Sequence, residues 1–98
     1  MKKIKIPVKY AKDIKTATKL LKDGGCKSVY LFGSLVTGKP RRNSDIDIGV
    51  RGLPPKKFFR TYSQLESSLS SRVDLVDFDE NKDFYSLLNS LGEVLRLG

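Results

Sequence analysis

Apolar residues recur at helical spacing in the first quarter of the chain and then in short extended runs. Residues 8–22 carry an apolar side chain every three or four positions, which predicts a helix with a lysine-rich opposite face. Gly24 and Gly25 end that pattern. The run SVYLF at 28–32 is β-branched and aromatic, which predicts a buried strand. The predicted apolar face of the helix consists of Val8, Ala11, Ile14, Ala17 and Leu21.

The pattern changes at Gly33, where a residue without a Cβ lets the strand turn sharply. Ser34 is a good N-cap residue, so we expect a short helix over 35–37. The run DIDIGV at 45–50 alternates polar and apolar residues, which predicts a second strand. Its two acidic residues would share one face, and its larger apolar residues would point to the core.

The second half of the chain repeats the order helix, strand, helix. Pro55 is placed to open a helix, residues 72–78 read as a third strand, and a last helix follows residue 81. The apolar residues 94–97 could complete the core or present an exposed edge to a partner. The apolar positions of the two helices are Phe58, Tyr62, Leu65 and Leu69 in the first and Phe84, Leu87, Leu88 and Leu91 in the second.

This order predicts an α/β (α+β) fold in which helices cover a small sheet mainly on one side. Patterning alone allows parallel or antiparallel strands. We expect one domain over residues 1–98, because this length supports one modest core. No apolar run approaches the roughly 20 residues that a bilayer span needs. The basic N-terminus lacks the apolar segment of a signal peptide, so a cytoplasmic protein without membrane contact is expected.

The composition limits the partners and the metal ligands that we expect for this chain. The chain has 19 Lys and Arg against 11 Asp and Glu, a net charge of +8, which favours anionic partners such as nucleotides. The lysine face of the first helix is interpreted as solvated rather than as an RNA track, because interleaved exposed aromatics are missing. There is no His, and Cys26 is the single cysteine, so we expect metal chemistry to use oxygen ligands and Cys26 to be a small buried residue.

Two motifs in residues 31–50 carry candidate chemistry. The turn at Gly33 and Ser34, followed by a short helix, suits a phosphate group. Asp45 and Asp47 lie two residues apart on one strand face, where their charges repel each other unless solvent or a cation intervenes. Mg²⁺ suits such a site, because it prefers few carboxylates completed by water and substrate phosphates.

Gly33-Ser34, Gly38 and the run Ser44-Asp45-Ile46-Asp47 together resemble the signature of the DNA polymerase beta-like nucleotidyltransferases. The closest resemblance is to the minimal nucleotidyltransferase (MNT) members. It implies the nucleotidyltransferase fold with a mixed sheet, nucleotide contacts from Gly33, Ser34 and Ser44, and two Mg²⁺ or Mn²⁺ ions held by the aspartates.

The family pattern also includes a third acidic residue on a later strand. Val73-Asp74-Leu75-Val76 resembles that strand, which nominates Asp74 as the third catalytic and metal-binding residue. Asp77 would point to the opposite face of a regular strand. Asp79 shares the orientation of Asp77 and is expected in a loop or as a helix cap. Both stay open as alternatives to Asp74.

The resemblance further implies a function: transfer of AMP from ATP to a hydroxyl on a partner. In MNT pairs the transferase is an antitoxin that adenylylates a tyrosine of a HEPN-family toxin, so a HEPN-type helical partner is expected. Many relatives carry Arg where this chain has Thr37, and Lys39, Arg41 or Arg42 could replace it. Two other functions remain open: inhibition of the partner by binding alone, and nucleotidyl transfer to RNA or a small molecule.

Overall fold

The computed structural model describes residues 6–38 and 45–98 of the chain. None of the helices in these two segments is long and apolar enough to cross a membrane. The elements are α1 (Val8–Asp23), β1 (Ser28–Phe32), α2 (Ser34–Thr37), β2 (Ile46–Arg51), a 3₁₀ turn (Pro55–Lys57), α3 (Phe58–Ser68), β3 (Val73–Asp77), α4 (Lys82–Leu91) and β4 (Val94–Arg96).

The strands form one mixed sheet in the order β3-β2-β1-β4. β1 pairs antiparallel with both β2 and β4, whereas β3 runs parallel to β2. A parallel pair needs a crossover connection, and α3 provides it between β2 and β3. The α/β fold with a small mixed sheet is therefore confirmed, and the parallel pair is the feature that patterning left open.

One face of the sheet packs against α1 and α3. Ile46, Ile48 and Val50 of β2 are fully buried there, as their alternation predicts. Complete burial of one such side chain stabilises the fold by about 1.5–3 kcal/mol. Leu65 from α3 and Leu21 from α1 are also fully buried in this cluster. The α1/α3 face is thus an aliphatic core.

The opposite face carries a smaller and more aromatic cluster. Tyr30 and Phe32 of β1 pack there with Phe78 and with Leu88 of α4. Gly49 of β2 makes this packing possible, because a Cβ at that position would overlap the Phe78 ring. We call this side the α4 face. The helical cover is heavier on the α1/α3 side, in agreement with the expected one-sided arrangement.

The buried stripe of α1 differs from the predicted one. Ile14, Ala17 and Leu21 are buried as expected, but Val8 is 89% exposed and Ala11 is also exposed. Tyr10 and Asp13 take their place in the interior. Tyr10 precedes Ile14 by four residues and Ala17 by seven, so it continues the stripe of the helix more closely than Val8 does.

Several element boundaries also differ. Gly33, not Ser34, is the N-cap of α2, and Ser34 is the first helical residue, with no side-chain capping bond. β2 begins at Ile46, so Asp45 immediately precedes the strand. Pro55 opens a 3₁₀ turn that leads into α3. β4 was not predicted as a strand, because three residues are too few to display alternation.

Cys26 lies in the α1/α3 core and is 4% exposed. Burial is the largest influence on its thiol and raises the pKa to about 11. The thiol therefore stays protonated at neutral pH, where a protonated thiol is a weak nucleophile. This confirms the interpretation of Cys26 as a small buried residue.

Candidate functional site

The parallel pairing of β2 and β3 brings two of the sequence-predicted carboxylates together. Asp47 and Asp74 are register partners, so they lie side by side on adjacent strands. Neighbouring strands are about 4.8 Å apart, and partners in register point to the same face. That face is the α4 face, since Asp47 is also the register partner of Phe32 across β1.

The same pairing places Asp47 against the turn at the end of β1. Gly33 has φ +78°, a conformation that L side chains rarely adopt, and a Cβ there would overlap the Asp47 carboxylate. The glycine is therefore required both for the turn and for the close approach of Asp47. The predicted phosphate-binding corner and the predicted metal ligand are in direct contact.

Asp45 lies two residues before Asp47, which separates their Cα atoms by about 7 Å along the chain. Its side chain is 43% exposed, and Oδ1 lies 3.8 Å from Nε of Arg72. Arg72 is 89% exposed, so this is a weak, solvated ion pair that holds neither partner firmly.

The repulsion among the three carboxylates affects the pKa of Asp47. Its pKa is raised to about 6, first by burial and then by the negative charges of Asp74 and Asp45. The three groups therefore lie near enough to disfavour simultaneous ionisation. A cation between them would relieve this repulsion.

Asp74 is exposed and lies on β3, an edge strand of the sheet. Its Oδ1 accepts a hydrogen bond of 3.2 Å from the Tyr62 hydroxyl of α3. A polar pocket of about 450 Å³ opens beside it, lined by Asp45, Tyr62, Glu66 and Arg72 among others. Asp45 and Asp74 thus border an open pocket.

The other two acidic candidates lie elsewhere. Asp77 is the register partner of Val50, about 10 Å further along β3 than Asp74, and it is 9% exposed. Its Oδ1 accepts the Asp79 N–H at 2.9 Å. Asp79 in turn accepts the Gly52 N–H at 2.7 Å and lies 3.5 Å from Arg51. These two carboxylates hold the turn after β3 against the end of β2.

The remaining predicted nucleotide contacts are only partly described. Ser34 begins α2 directly after Gly33. Ser44 lies outside the described residues, as do Lys39, Arg41 and Arg42. The Thr37 hydroxyl donates to the Ser34 carbonyl at 3.4 Å, so it faces the backbone of its own helix. A cation at this point would therefore have to come from another residue.

Asp13 is a structural carboxylate that the sequence analysis missed. It is 5% exposed and accepts the N–H groups of Ser70 and Ser71 at 3.1 and 2.9 Å. Burial acts to raise the pKa of Asp13, but these donors, with the charge of Lys12, outweigh it, and the pKa is lowered. Asp13 therefore ties α1 to the segment that leads into β3. Its place on the buried side of α1, one turn after Tyr10, was the available signal.

The resemblance implies two Mg²⁺ ions at these carboxylates. Among residues 6–38 and 45–98, no three acidic, His or Cys side chains form a ready-made metal cage. The adjacent carboxylates of Asp47 and Asp74 nevertheless match the preference of Mg²⁺ for a few carboxylate oxygens completed by water and phosphate. Burial and the two neighbouring carboxylates raise the pKa of Asp47, and a bound cation would counter the repulsion between these groups. The residues fit an open Mg²⁺ site.

Comparison with curated proteins finds no significant match. Solved structures do match. A chain of a toxin–antitoxin complex with AMP-PNP is 32% identical, with a TM-score of 0.68 over 87% of this chain and 72% of that one. A chain of the MntA-HepT toxin–antitoxin complex is 28% identical, with a TM-score of 0.61 over 88% and 69%.

A third structure contains a tri-AMPylated HEPN toxin from Shewanella oneidensis with its MNT antitoxin. One of its chains is 33% identical, with a TM-score of 0.50 over 68% of this chain and 54% of that one. The family model described as polymerase beta, nucleotidyltransferase matches residues 13–95, which include β1, β2 and β3 in full and the first two residues of β4. This chain belongs to the polymerase beta nucleotidyltransferase family, and its solved relatives include the MntA-HepT toxin–antitoxin pair and an MNT antitoxin in complex with a HEPN toxin.

Proposed function

We propose that this nucleotidyltransferase transfers AMP from ATP to a tyrosine hydroxyl of a HEPN-family toxin and acts as its antitoxin. The observation that carries the proposal is the contact of Asp47 with Gly33 on one side and its pairing with Asp74 on the other. A phosphate-binding corner and a pair of carboxylates are the two parts that phosphoryl-group chemistry needs.

In this mechanism the Gly33 and Ser34 corner holds the β- and γ-phosphates of ATP. Backbone N–H groups at such a turn donate to phosphate oxygens and favour the negative charge that develops on the leaving group. The acceptor oxygen forms a bond to the α-phosphorus while the bond to the bridging oxygen breaks, and pyrophosphate leaves. Gly33 is suited to this role because it has no side chain to separate the phosphates from Asp47.

Asp45, Asp47 and Asp74 would hold two Mg²⁺ ions, with Mn²⁺ as a substitute. Bound Mg²⁺ supplies charge neutralisation at the phosphate oxygens and lowers the pKa of a coordinated hydroxyl. Asp47 sits between the other two carboxylates in this arrangement, as its position next to Asp74 and two residues after Asp45 requires.

The proton of the attacking hydroxyl needs an acceptor, and the chain contains no His. Asp74 is the carboxylate best placed for this task, because it is exposed and lies at the open edge of the sheet. Its oxygens accept the proton or orient the hydroxyl that carries it. Asp74 therefore serves the acceptor side of the reaction, and Gly33 and Ser34 serve the donor side.

A protein acceptor agrees with the known relatives. The Shewanella oneidensis complex contains an AMPylated HEPN toxin, and another similar toxin–antitoxin structure contains AMP-PNP, an analogue of ATP. The net charge of +8 permits an anionic donor such as ATP.

The test is to incubate the purified chain with ATP, Mg²⁺ and a HEPN-family protein that co-purifies with it, followed by intact-mass spectrometry of that toxin. We expect adenylyl groups on a toxin tyrosine with the wild-type chain and none with Asp47→Asn. Asp23→Asn is a matched control, because this carboxylate is 72% exposed at the end of α1 and pairs only with Lys19 in the described contacts. If the toxin stays unmodified after incubation with the wild-type chain and with Asp23→Asn, the proposal is wrong.

One observation favours a second function, in which the chain neutralises its toxin by binding alone. Thr37 replaces the Arg of many relatives and turns its hydroxyl to the Ser34 carbonyl. A doubly substituted Asp45→Asn, Asp47→Asn chain separates the two functions. Toxin neutralisation by this variant at the wild-type level would support binding alone, and its loss would support transfer. Extension of labelled RNA by the isolated chain would instead indicate a nucleic-acid acceptor.

A further inference from the structure

The Tyr62 hydroxyl lies at the open edge of β3, next to the proposed third metal ligand. It is 3.2 Å from the Val73 carbonyl oxygen and 3.2 Å from Oδ1 of Asp74. The Arg72 carbonyl bonds to Ile46 in β2, so the carbonyl of the next residue, Val73, points away from β2. Tyr62 therefore reaches around the sheet from α3, which packs on the other face.

The position of Tyr62 is fixed by its own packing. Its ring contacts Phe58 edge-on, with 6.0 Å between the centroids, and packs against the α1/α3 core. Its hydroxyl has a single proton, which it donates to one of two acceptors that adjoin each other on β3. The charged Asp74 carboxylate is the stronger acceptor of the two, so the proton is donated to Oδ1.

Asp74 itself is exposed on an edge strand, so its side chain would otherwise exchange among rotamers. A hydrogen bond to Oδ1 restricts that exchange and leaves Oδ2 available to another ligand. Hydrogen bonds of this kind orient ligating carboxylates in metal sites.

We propose that Tyr62 is a positioning residue for Asp74: its hydroxyl holds the carboxylate in the orientation that binds the cation on the acceptor side of the site. This inference rests on the proposed function, because it assumes that Asp74 is a metal ligand. Hydrophobic packing of α3 requires only the ring of Tyr62. The inference gives the hydroxyl of this residue a separate role.

The test measures Mn²⁺ binding to the nucleotide-free protein by the electron paramagnetic resonance signal of free Mn²⁺. Tyr62→Phe keeps the ring and removes the hydroxyl, and we expect it to weaken Mn²⁺ binding about tenfold. Asp74→Asn should weaken binding at least as much. Tyr85→Phe is the matched control, since it removes a phenol oxygen from the aromatic cluster of α4 and should leave Mn²⁺ binding unchanged.

A second readout separates positioning from a structural role. In the AMP-transfer assay, Tyr62→Phe should raise the Mg²⁺ concentration needed for half-maximal rate, and excess Mg²⁺ should restore the rate. A defect of folding would not be rescued by Mg²⁺ and would lower the melting temperature.

The outcomes are distinguishable. Wild-type Mn²⁺ affinity in Tyr62→Phe, with weakened affinity in Asp74→Asn, would overturn the inference and reduce the role of Tyr62 to capping the Val73 carbonyl. Wild-type affinity in Asp74→Asn would instead remove the metal site from Asp74, and the proposed mechanism would fail together with the inference.

Discussion

The two faces of the sheet differ in what they bury. The α1/α3 face encloses aliphatic side chains, of which Leu21, Leu65 and Ile48 are fully buried. The α4 face has a short aromatic cluster next to Asp47 and Asp74, and α4 leaves Leu87 and Leu91 more than half exposed. The strands alternate between the two environments, so each strand contributes to both.

This difference separates stability from chemistry. Close packing on the α1/α3 face supplies most of the hydrophobic burial, whereas the α4 face carries an unfavourable concentration of negative charge. A protein can maintain such a charged cluster only if other contacts stabilise the fold. Substitutions of the carboxylates on the α4 face should therefore reduce activity more than stability. Substitutions on the α1/α3 face should reduce stability more than activity.

The largest effect is expected from Asp47→Asn, which removes the central carboxylate and keeps the shape of the side chain. AMP transfer should fall on the order of 1,000-fold, because several kcal/mol of transition-state stabilisation depend on the metal site. The measurement is the initial rate of toxin adenylylation at saturating ATP and Mg²⁺. A rate within tenfold of wild type would contradict the assignment of Asp47.

The same variant should make the metal-free protein more stable at neutral pH. The folded pKa of Asp47 is about 6, above its ordinary value near 4, so the folded state loses stability from this group as the pH rises between those values. With solvent screening, we expect a gain of about 1 kcal/mol for Asp47→Asn at pH 7 in EDTA. The gain should vanish below about pH 4, where the wild-type carboxyl is protonated in both states.

The largest effect on stability is expected on the α1/α3 face. Leu21→Ala should lower the free energy of unfolding by about 3 kcal/mol, because it opens a cavity at a fully buried position. Urea denaturation measures this loss. The rate of AMP transfer per folded molecule should stay at the wild-type level at low temperature, and a selective loss of that rate would refute the separation of the two faces.

Asp13→Asn should cost about 2 kcal/mol, because it weakens two charge-assisted hydrogen bonds at a buried position. The lowered pKa of Asp13 means that its stabilising contribution is present above the unfolded value near 4 and is lost as the pH falls through the folded value. The difference between variant and wild type in thermal melting should therefore shrink in acid. A difference that is constant from pH 7 to pH 3 would be evidence against a charged Asp13.

The smallest effect is expected from Leu91→Ala on α4, which makes the same type of change as Leu21→Ala at a position that is 57% exposed. The free energy of unfolding of the isolated chain should change by less than about 0.5 kcal/mol. Urea denaturation of the two leucine variants side by side provides the direct comparison. A loss as large as that of Leu21→Ala would mean that α4 contributes to the main core.

Sequence patterning identifies the strands of this fold well where alternation is long enough. Ile46, Ile48 and Val50 are buried as their spacing predicts. β4 has three residues, which are too few to show alternation. It is identified as a strand by its pairing with β1. The parallel direction of β3 is likewise a property of the crossover through α3 and has no local signal.

The residues of the candidate site also differ in whether local sequence could predict them. The motif at Gly33 and the spacing of Asp45 and Asp47 are local, so sequence suffices to nominate them. The pairing of Asp74 with Asp47 depends on strand register, which resemblance could suggest but periodicity could not. The buried Asp13 and the Tyr62 hydroxyl act through contacts that are remote in sequence, so the sequence near Asp13 could at most indicate burial and could not identify the hydrogen-bond partners of either residue.

Among the strands that the structure describes, β3 has a sheet neighbour on one side only, and that edge position has a dynamic consequence for Asp74. Edge strands separate from a sheet at a smaller free energy than central strands, so their amide protons exchange with deuterium sooner. Asp47, on the central β2, would remain in place during such an opening while Asp74 moved away. A bound molecule that held this edge in place would keep the two carboxylates together.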